Sequence, residues 1–235
     1  MESVGDFTVP MEHPVGSIRD KAIKALAARK QAAGIRPVLI TAGCGFVQGT
    51  RVATPGGWAT VESLSVGDEV LTFDAGFQRI MAMSSDLILS PEQLTPNKLR
   101  PLLVPKGTLD NRQDMIVQPH QGVLIESPTV RDKWGDPFAV IPGAALEIFE
   151  GVSRLEPADE LRAYLPAFAE DQMVFVNGGA LLFSQSIWGV RAGVQPRFGR
   201  AANYNLMPVL EAKALLQSGS VQAVYGNPEE LRRAA

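Results

Sequence analysis

The chain has 235 residues, of which 46% are hydrophobic, and a formal net charge of -3 at pH 7. This length and apolar content are enough to bury a full core, which we expect to form one domain with extensions. Because acidic and basic residues are interspersed, the sequence has no basic footprint for nucleic acid or for an anionic membrane surface, and we expect neither partner.

The cysteine content and the absence of targeting signals in the sequence further limit the kinds of site and the cellular location that we expect. Cys44 is the single cysteine, which excludes an internal disulfide and multi-cysteine metal sites, and we expect no cofactor and no metal. No apolar run approaches the length of a membrane span. The first residues lack the basic and apolar regions of a secretory signal, so a cytoplasmic location is expected, with non-classical secretion left open.

The N-terminal region is predicted to contain one helix. Residues 1–16 carry two prolines and two glycines and indicate an extended lead-in. Ser17 begins a stretch with the form of a capping box, and apolar residues then follow at helical spacing, which predicts a helix over about 17–33. Its basic face is of a kind that is usually only solvated.

An apolar stretch after Pro37 runs into the glycines at 43, 45 and 49, a pattern that also occurs in dinucleotide-binding loops. Such a loop needs a helix to open on the glycines, so that the helix N-terminus meets the pyrophosphate. Here the segment from Arg51 to Trp58 is β-patterned and contains a Pro-Gly-Gly turn. We therefore reject the dinucleotide-binding interpretation.

Alternating residues and turn signals between Thr50 and Gly76 predict short strands joined by hairpins at 55–57, 67–68 and 74–76. Leu102 to Val104 is predicted as a further strand. Helical residues are expected only at about 17–33 and 208–217, with a short turn near 158–164. The sequence thus predicts an all-β domain with short N- and C-terminal helices.

The same β-patterned stretch resembles the opening of a Hint domain, the module shared by inteins and hedgehog autoprocessing proteins, and in particular the bacterial Hint proteins that stand outside inteins. The likeness is carried by four motifs in order: Gly49-Thr50-Arg51-Val52, Thr54-Pro55-x-Gly57, Val61-Glu62-x-Leu64 and Val66-Gly67-Asp68-x-Val70-Leu71-Thr72-x-Asp74. The resemblance implies a Hint-type β fold and self-catalysed cleavage of the chain's own backbone.

Two later segments extend the resemblance. Gln113 to Ile125 is similar to the second Hint block, and Ala169 to Gly179, which ends in an Asn-Gly turn, is more weakly similar to the third. The likeness covers roughly residues 44–186. We therefore expect an N-terminal extension with one helix at 1–43, a Hint domain at 44–186 and a tail with a short helix at 187–235.

The family's chemistry indicates which residues to examine. A Cys attacks the carbonyl before it and forms a thioester, a His in the second block protonates the departing nitrogen, and a hydroxyl or backbone donor polarises the carbonyl. A third-block Asp or His assists. By resemblance, the candidate catalytic residues are Cys44, His120, Thr50 and Glu170.

The sequence departs from the family pattern in all three blocks. Cys44 lies one residue early, so that Gly45 takes the expected position. Gln118 and Gln121 stand where the hydroxyl and the His are usual, with His120 one residue early. The third-block His position falls on Asp171 or Gln172, although Glu170 keeps a carboxylate where Asp is usual.

Two interpretations of the shifts stay open. On a regular strand, a shift of one residue turns a side chain to the opposite face, which would remove Cys44 and His120 from a common site. Bulges at Gly45 and Gly122 would bring both side chains back. The first interpretation needs no compensating change, whereas the second needs two independent bulges.

Two functions follow from these interpretations. The first is a Hint-domain protein with weakened or lost self-cleavage, acting as a binding or structural module for a protein partner that the sequence does not name. The alternative is a self-cleaving module that forms a thioester at Gly43–Cys44 and releases residues 1–43, at most once per chain. No Asn ends the chain, and no Ser, Thr or Cys follows a His-Asn pair, so we expect no intein-type splicing.

Overall fold

The computed structural model describes residues 44–92, 95–132, 134–187, 204, 206–219 and 222–223. The chain divides at Pro37, and all described residues belong to the unit Val38–Ala235. The helix predicted over 17–33 lies outside the described residues.

Short strands make up most of the described chain. They are β1 (Phe46–Val47), β2 (Arg51–Thr54), β3 (Gly57–Thr60), β4 (Glu69–Thr72), β5 (Gly76–Arg79), β6 (Ala82–Leu89), β7 (Leu102–Val104), β8 (Met115–Val117), β9 (Gly122–Glu126), β10 (Phe138–Pro142), β11 (Ser153–Arg154), β12 (Leu161–Ala167), β13 (Gln172–Val176), β14 (Ala180–Ser184) and β15 (Gln222–Ala223). Every pairing between these strands is antiparallel. The prediction of an all-β domain is confirmed.

The strands form three sheets. The largest has the order β10-β9-β14-β13-β2-β3, with β4 and β5 joined through β13 and β15 joined to β9. The other two have the orders β1-β12-β6 and β11-β7-β8. Because β2 lies beside β13, the β2–β3 hairpin is built into the same sheet as the third block.

Helical structure is sparse. The helix predicted over 208–217 is present as α1 (Val209–Gln217), preceded by Pro208. Three short 3-10 helices were not predicted; they are Val61–Ser63, Asn97–Leu99 and Gly143–Ile148. The turn expected near 158–164 is replaced from residue 161 by β12, which pairs along its length with β6.

Two of the three predicted hairpins are present: β2 pairs with β3 around the turn at 55–56, and β4 pairs with β5 around 73–75. The prediction of a hairpin at 67–68 is wrong. A turn forms there, but the 3-10 helix at 61–63 separates β3 from β4. Gly67 N donates to Ile80 O and Ile80 N donates to Asp68 O, so this turn is bonded to the end of β5.

The strands β13 and β14 form the centre of the core and are buried on both faces. Met173 and Phe175 pack into one apolar cluster, whereas Val174 and Val176 pack into another on the opposite face. Because both faces are covered, the two strands are nearly continuous apolar runs, Met-Val-Phe-Val and Ala-Leu-Leu-Phe, without the polar alternation of a half-exposed strand.

The Asn-Gly turn that joins β13 and β14 is tied to two distant segments. Asn177 and Gly178 both have positive φ, 47° and 94°, the conformation that Asn and Gly adopt most readily. The Asn177 side-chain oxygen accepts a hydrogen bond of 2.7 Å from Arg51 N, and its backbone oxygen accepts one of 2.7 Å from Arg112 N. The turn therefore fixes where β2 lies along the large sheet.

Truncation of a central apolar side chain tests this assignment of the core. Leu182 is 1% exposed in β14, whereas Leu210 on α1 is 82% exposed. We expect Leu182→Ala to lower the free energy of unfolding by about 2–5 kcal/mol through lost burial and the cavity left behind. The matched control Leu210→Ala should stay within about 0.5 kcal/mol of the parent, as surface changes usually do. Urea denaturation of the three chains measures both, and equal effects would contradict the assignment.

Glu147, in the 3-10 helix at 143–148, joins this helix to two other elements. Its carboxylate accepts hydrogen bonds from Arg154 Nε at 2.6 Å and from Lys213 Nζ of α1 at 3.1 Å. Partial burial acts to raise the pKa of Glu147, but the hydrogen bonds and charges of Arg154 and Lys213 outweigh it and hold the pKa below its ordinary value of 4.5. The ionised carboxylate is therefore the form that the fold stabilises.

The sign of the resulting pH dependence follows from linkage. Because the folded-state pKa of Glu147 is depressed, its contribution to stability is fully present above 4.5 and is lost as the pH falls through the lowered pKa. We expect Glu147→Gln to reduce the loss of stability between neutral and acid pH, measured by urea denaturation at a series of pH values. Glu69→Gln is the control, because Glu69 lies in an exposed ion pair 3.9 Å from Arg79, and it should change the free energy of unfolding by less than about 1 kcal/mol.

Candidate functional site

Two buried glutamines meet the backbone at the start of the described chain. Gln118 follows β8 and Gln121 precedes β9, and their side chains are 3% and 0% exposed. Gln121 Oε1 accepts a hydrogen bond from Gly45 N at 2.8 Å, and Gln118 Nε2 donates one to Cys44 O at 2.6 Å. The N–H and the C=O of one peptide, the peptide that joins Cys44 to Gly45, are thus each bound by a glutamine. We call this pair of side chains the glutamine clamp.

The clamp is held in one orientation by its other contacts. Gln121 Nε2 donates to Phe183 O at 2.7 Å and to Gly122 O at 3.0 Å. Since two carbonyl oxygens can only accept, the amide nitrogen must face them and the amide oxygen must face Gly45 N. Gln118 Nε2 also donates to Gly45 O at 3.0 Å. Each glutamine therefore binds the backbone at more than one point.

Close backbone packing positions the turn that carries the clamp. Gly143 N donates to Gln121 O at 2.8 Å, and a Cβ on Gly143 would lie 2.3 Å from Gln118 O. A Cβ on Gly122 would lie 2.9 Å from the Phe183 side chain. Only glycine permits these approaches, so residues 122 and 143 let the second-block turn sit against β14 and the 3-10 helix at 143–148.

Residue 45 is a glycine for two physical reasons. Its φ is +105°, a conformation that side chains with a Cβ rarely adopt. A Cβ built there would also lie 3.1 Å from Tyr164 O and 3.6 Å from Gln118 Nε2. The clamped peptide therefore ends in a residue that offers no side chain to the site.

The sequence-predicted candidates occupy different surroundings. Cys44 is half-buried, and its backbone oxygen is the group that Gln118 binds. His120 is exposed in the turn between β8 and β9. Thr50 is buried, and its hydroxyl donates to Val47 O at 2.6 Å, which closes the turn between β1 and β2.

Glu170 lines a separate cavity of about 720 Å³, together with Asp171 and Gln172. Cys44, His120 and Thr50 are not among the described residues that line it. The Asp171 carboxylate accepts a hydrogen bond from Ser186 N at 2.8 Å. Among the described residues, these three third-block side chains line the cavity and the two clamp residues do not.

Carboxylates crowd one side of this cavity. Burial raises the pKa of Asp74, and the negative charges of Asp132 and Asp136 raise it further. Asp132 Oδ1 accepts hydrogen bonds from the backbone N–H groups of Trp134 and Asp136, both at 2.9 Å, which shapes the loop before β10. Among the described residues, no group of three or more His, Cys, Asp or Glu side chains is arranged to hold a metal ion.

Sequence reasoning located both clamp residues by their place in the second block, but it did not predict what they bind. Their bonds to Cys44 and Gly45 cross more than seventy positions of the chain. A usable signal was present: two glutamines flank a Pro-His pair between two apolar strands, where buried amides need backbone partners. None of the helices within the described ranges has the length and apolar character that a membrane crossing requires.

The fold and the site define a class of protein. It is a small antiparallel β domain in which two second-block side chains bind one of the domain's own peptide bonds. The family model described as "Hint domain" matches residues 43–181, more than half of the chain, and the chain belongs to the Hint domain family. The family prediction and the Hint-type fold prediction are confirmed.

Solved structures of inteins and intein-like domains are similar to the chain. A bacterial intein-like domain from Clostridium thermocellum has 13% sequence identity and a TM-score of 0.38, over 60% of this chain and 98% of that one. The MchDnaB-1 intein has 17% identity and a TM-score of 0.36, over 60% of this chain and 99% of that one. No curated protein matches the chain.

Removing the polar atoms of Gln121 tests how much the clamp contributes to the free energy of unfolding. Gln121→Met keeps the side-chain length but leaves Gly45 N and Phe183 O buried without their partners. Since each buried unpaired group costs about 1–3 kcal/mol, we expect the free energy of unfolding to fall by roughly 2–4 kcal/mol. Gln78→Met is the matched control, because Gln78 Nε2 binds only nearby carbonyls in the β4–β5 hairpin, and it should cost less than about 0.5 kcal/mol. Equal losses in the two variants would contradict this contribution.

Proposed function

We propose that this Hint-domain protein has weakened or lost self-cleavage and acts as a binding or structural module for a protein partner. The observation that supports the proposal is Gln121, a fully buried side chain 2.8 Å from a backbone nitrogen in the position where the family pattern has its general acid. Cleavage of an amide requires a proton for the departing nitrogen. An amide side chain does not supply one at neutral pH.

The surroundings of the other candidates support the same proposal. His120, the one imidazole in the second block, is exposed, whereas Gln118 and Gln121 on either side of it are buried. The Thr50 hydroxyl donates its hydrogen bond to Val47 O. Glu170 lines the cavity beside β13. We propose that Cys44, His120, Thr50 and Glu170 do not act together as a catalytic set.

The division of the chain belongs to the same proposal. Residues 1–43 form an N-terminal extension, residues 44–186 the Hint domain, and residues 187–235 a tail that includes α1. The Hint domain would then be the structural module of the chain, and the hydrogen bond between Glu147 and Lys213 of α1 would be one point of attachment for the tail.

The alternative function, thioester formation at Gly43–Cys44 with release of residues 1–43, gives a direct test. We expect the purified 235-residue chain to remain intact by mass spectrometry after a day with dithiothreitol or hydroxylamine, reagents that trap a thioester. The physical reason is the missing acid, because general acid catalysis contributes about 10²- to 10⁴-fold in rate.

Two variants make the result unambiguous. A fragment ending at Gly43 that disappears in both Cys44→Ala and His120→Ala would overturn the proposal and assign both catalytic roles. Cleavage that persists in Cys44→Ala would instead identify a contaminating protease acting on an exposed linker, since such segments are preferred sites of nicking.

A further inference from the structure

We infer that the peptide bond held in the cleavage position of this domain is Cys44–Gly45, so that residue 45 is the nucleophile position and Cys44 lies on the acyl side of the bond. The inference deepens the proposed function. It rests on the proposed function only because both concern the same site. It replaces the bond expected from the sequence, Gly43–Cys44, by the next bond along the chain.

The nitrogen side of the bond carries the first part of the argument. A group that delivers a proton to a departing nitrogen must lie within about 2.6–3.2 Å of it. Gln121 Oε1 lies 2.8 Å from Gly45 N, and both hydrogens of the Gln121 amide are directed at Gly122 O and Phe183 O. The second-block side chain of Gln121 therefore contacts the backbone nitrogen of residue 45.

The carbonyl side carries the second part. Negative charge develops on a carbonyl oxygen during acyl transfer, and a fixed donor about 2.7–3.1 Å away stabilises it. Gln118 Nε2 donates to Cys44 O at 2.6 Å. Gln118 Nε2 also donates to Gly45 O of the next peptide, at the longer distance of 3.0 Å. The Cys44–Gly45 peptide is the one whose C=O and N–H are both bound by the two glutamines, which is the arrangement that breaking this bond requires.

The identity of residue 45 completes the argument. In an acyl shift from nitrogen to sulfur, the thiol belongs to the residue whose nitrogen departs, since that side chain reaches the preceding carbonyl carbon through a small ring. For the clamped peptide that residue is Gly45, which has no side chain and has a φ of +105°. The site thus keeps its hold on the bond while both the thiol and the acid are absent, and the Cys44 thiol is not the group that faces the clamped carbonyl from the nucleophile position.

The unmodified chain allows a direct measurement. In ¹⁵N,¹³C-labelled protein, a scalar coupling across the hydrogen bond should link the Gly45 backbone nitrogen to the side-chain carbonyl carbon of Gln121. In Gln121→Met, we expect the Gly45 amide to exchange with solvent at least about tenfold faster relative to Val52, a strand amide that reports any general loss of stability. Gln78→Met, the matched control, should leave the Gly45 rate unchanged.

Other results would overturn the assignment. A coupling to the Cys44 nitrogen, or faster exchange at Cys44 in place of Gly45, would move the held bond back to Gly43–Cys44. Absence of selective change at both amides, together with absence of the coupling, would mean that the clamp does not hold this peptide. Neither result depends on whether the parent chain cleaves itself, so failure of this inference is distinguishable from failure of the proposed function.

Restoring the absent groups tests the nucleophile position. We expect Gly45→Cys combined with Gln121→His, in a Cys44→Ser background, to cleave after residue 44. The introduced sulfur adds to the carbonyl carbon of residue 44, and the C–N bond to residue 45 breaks. The introduced imidazolium gives its proton to the departing nitrogen, and the thiol proton passes to the buffer. Hydroxylamine then opens the thioester and releases residues 1–44 as the hydroxamate.

Mass spectrometry with backbone NMR spectra decides the outcome. A fragment of residues 1–44 from a variant with native-like spectra supports the assignment, and it should disappear when Gly45→Cys is omitted. A folded variant that stays intact, or one cut after residue 43, overturns the assignment of residue 45. If the variant does not fold, the coupling in the unmodified chain decides the question alone.

Discussion

The peptide between Cys44 and Gly45 lies against a buried turn, and its two polar groups need partners. A buried backbone N–H or C=O without a hydrogen bond costs about 1–3 kcal/mol, a large share of the 5–15 kcal/mol that typically holds a domain folded. Gln121 satisfies the N–H and Gln118 satisfies the C=O. The same glutamine at 121 also satisfies Phe183 O on β14. The start of the described chain, the second-block turn and the central hairpin are thereby joined through one pair of amides.

The surrounding packing makes this joint possible. The strands β13 and β14 are covered on both faces, so they act as a fixed wall for the second-block turn. Glycine at 143 lets the 3-10 helix approach to where a Cβ would be 2.3 Å from Gln118 O. The Asn177 side chain bonds Arg51 N and thereby sets the register of β2 beside β13. Glycine at 143 thus positions the second-block turn, and one long-range side-chain bond positions β2.

Sequence patterns predicted the parts of this fold that are local. The Pro-Gly-Gly turn at 55–57 and the alternation around it specify a hairpin, because its turn chemistry and its strand partners lie within ten residues. The turn at Gly67 was placed correctly but was wrongly called a hairpin, since its bonding partner is Ile80 at the far end of β5. Nothing in the local pattern distinguishes those two outcomes, because both begin with the same glycine turn.

The site divides in the same way. The positions of Gln118, Gln121 and Gly45 relative to the family pattern were readable along the chain. Which peptide the two glutamines bind could not be predicted, because the relevant contacts join segments that are far apart in sequence and depend on the orientation of two amide groups. Glu170 illustrates the limit most clearly: it lies near the usual carboxylate of the third block, yet the described fold puts it on a separate cavity.

Glutamine is a physically reasonable residue at the two turn positions where the family pattern has an acid and a hydroxyl. A buried peptide bond needs one acceptor and one donor whether or not it is cleaved, and an apolar side chain would leave both backbone groups unpaired. An ionisable side chain buried there would carry a desolvation cost and make stability depend on pH. An amide supplies both kinds of hydrogen bond with no charge. Loss of proton transfer and retention of the fold are therefore compatible, since the atoms that bind the peptide need not be atoms that titrate.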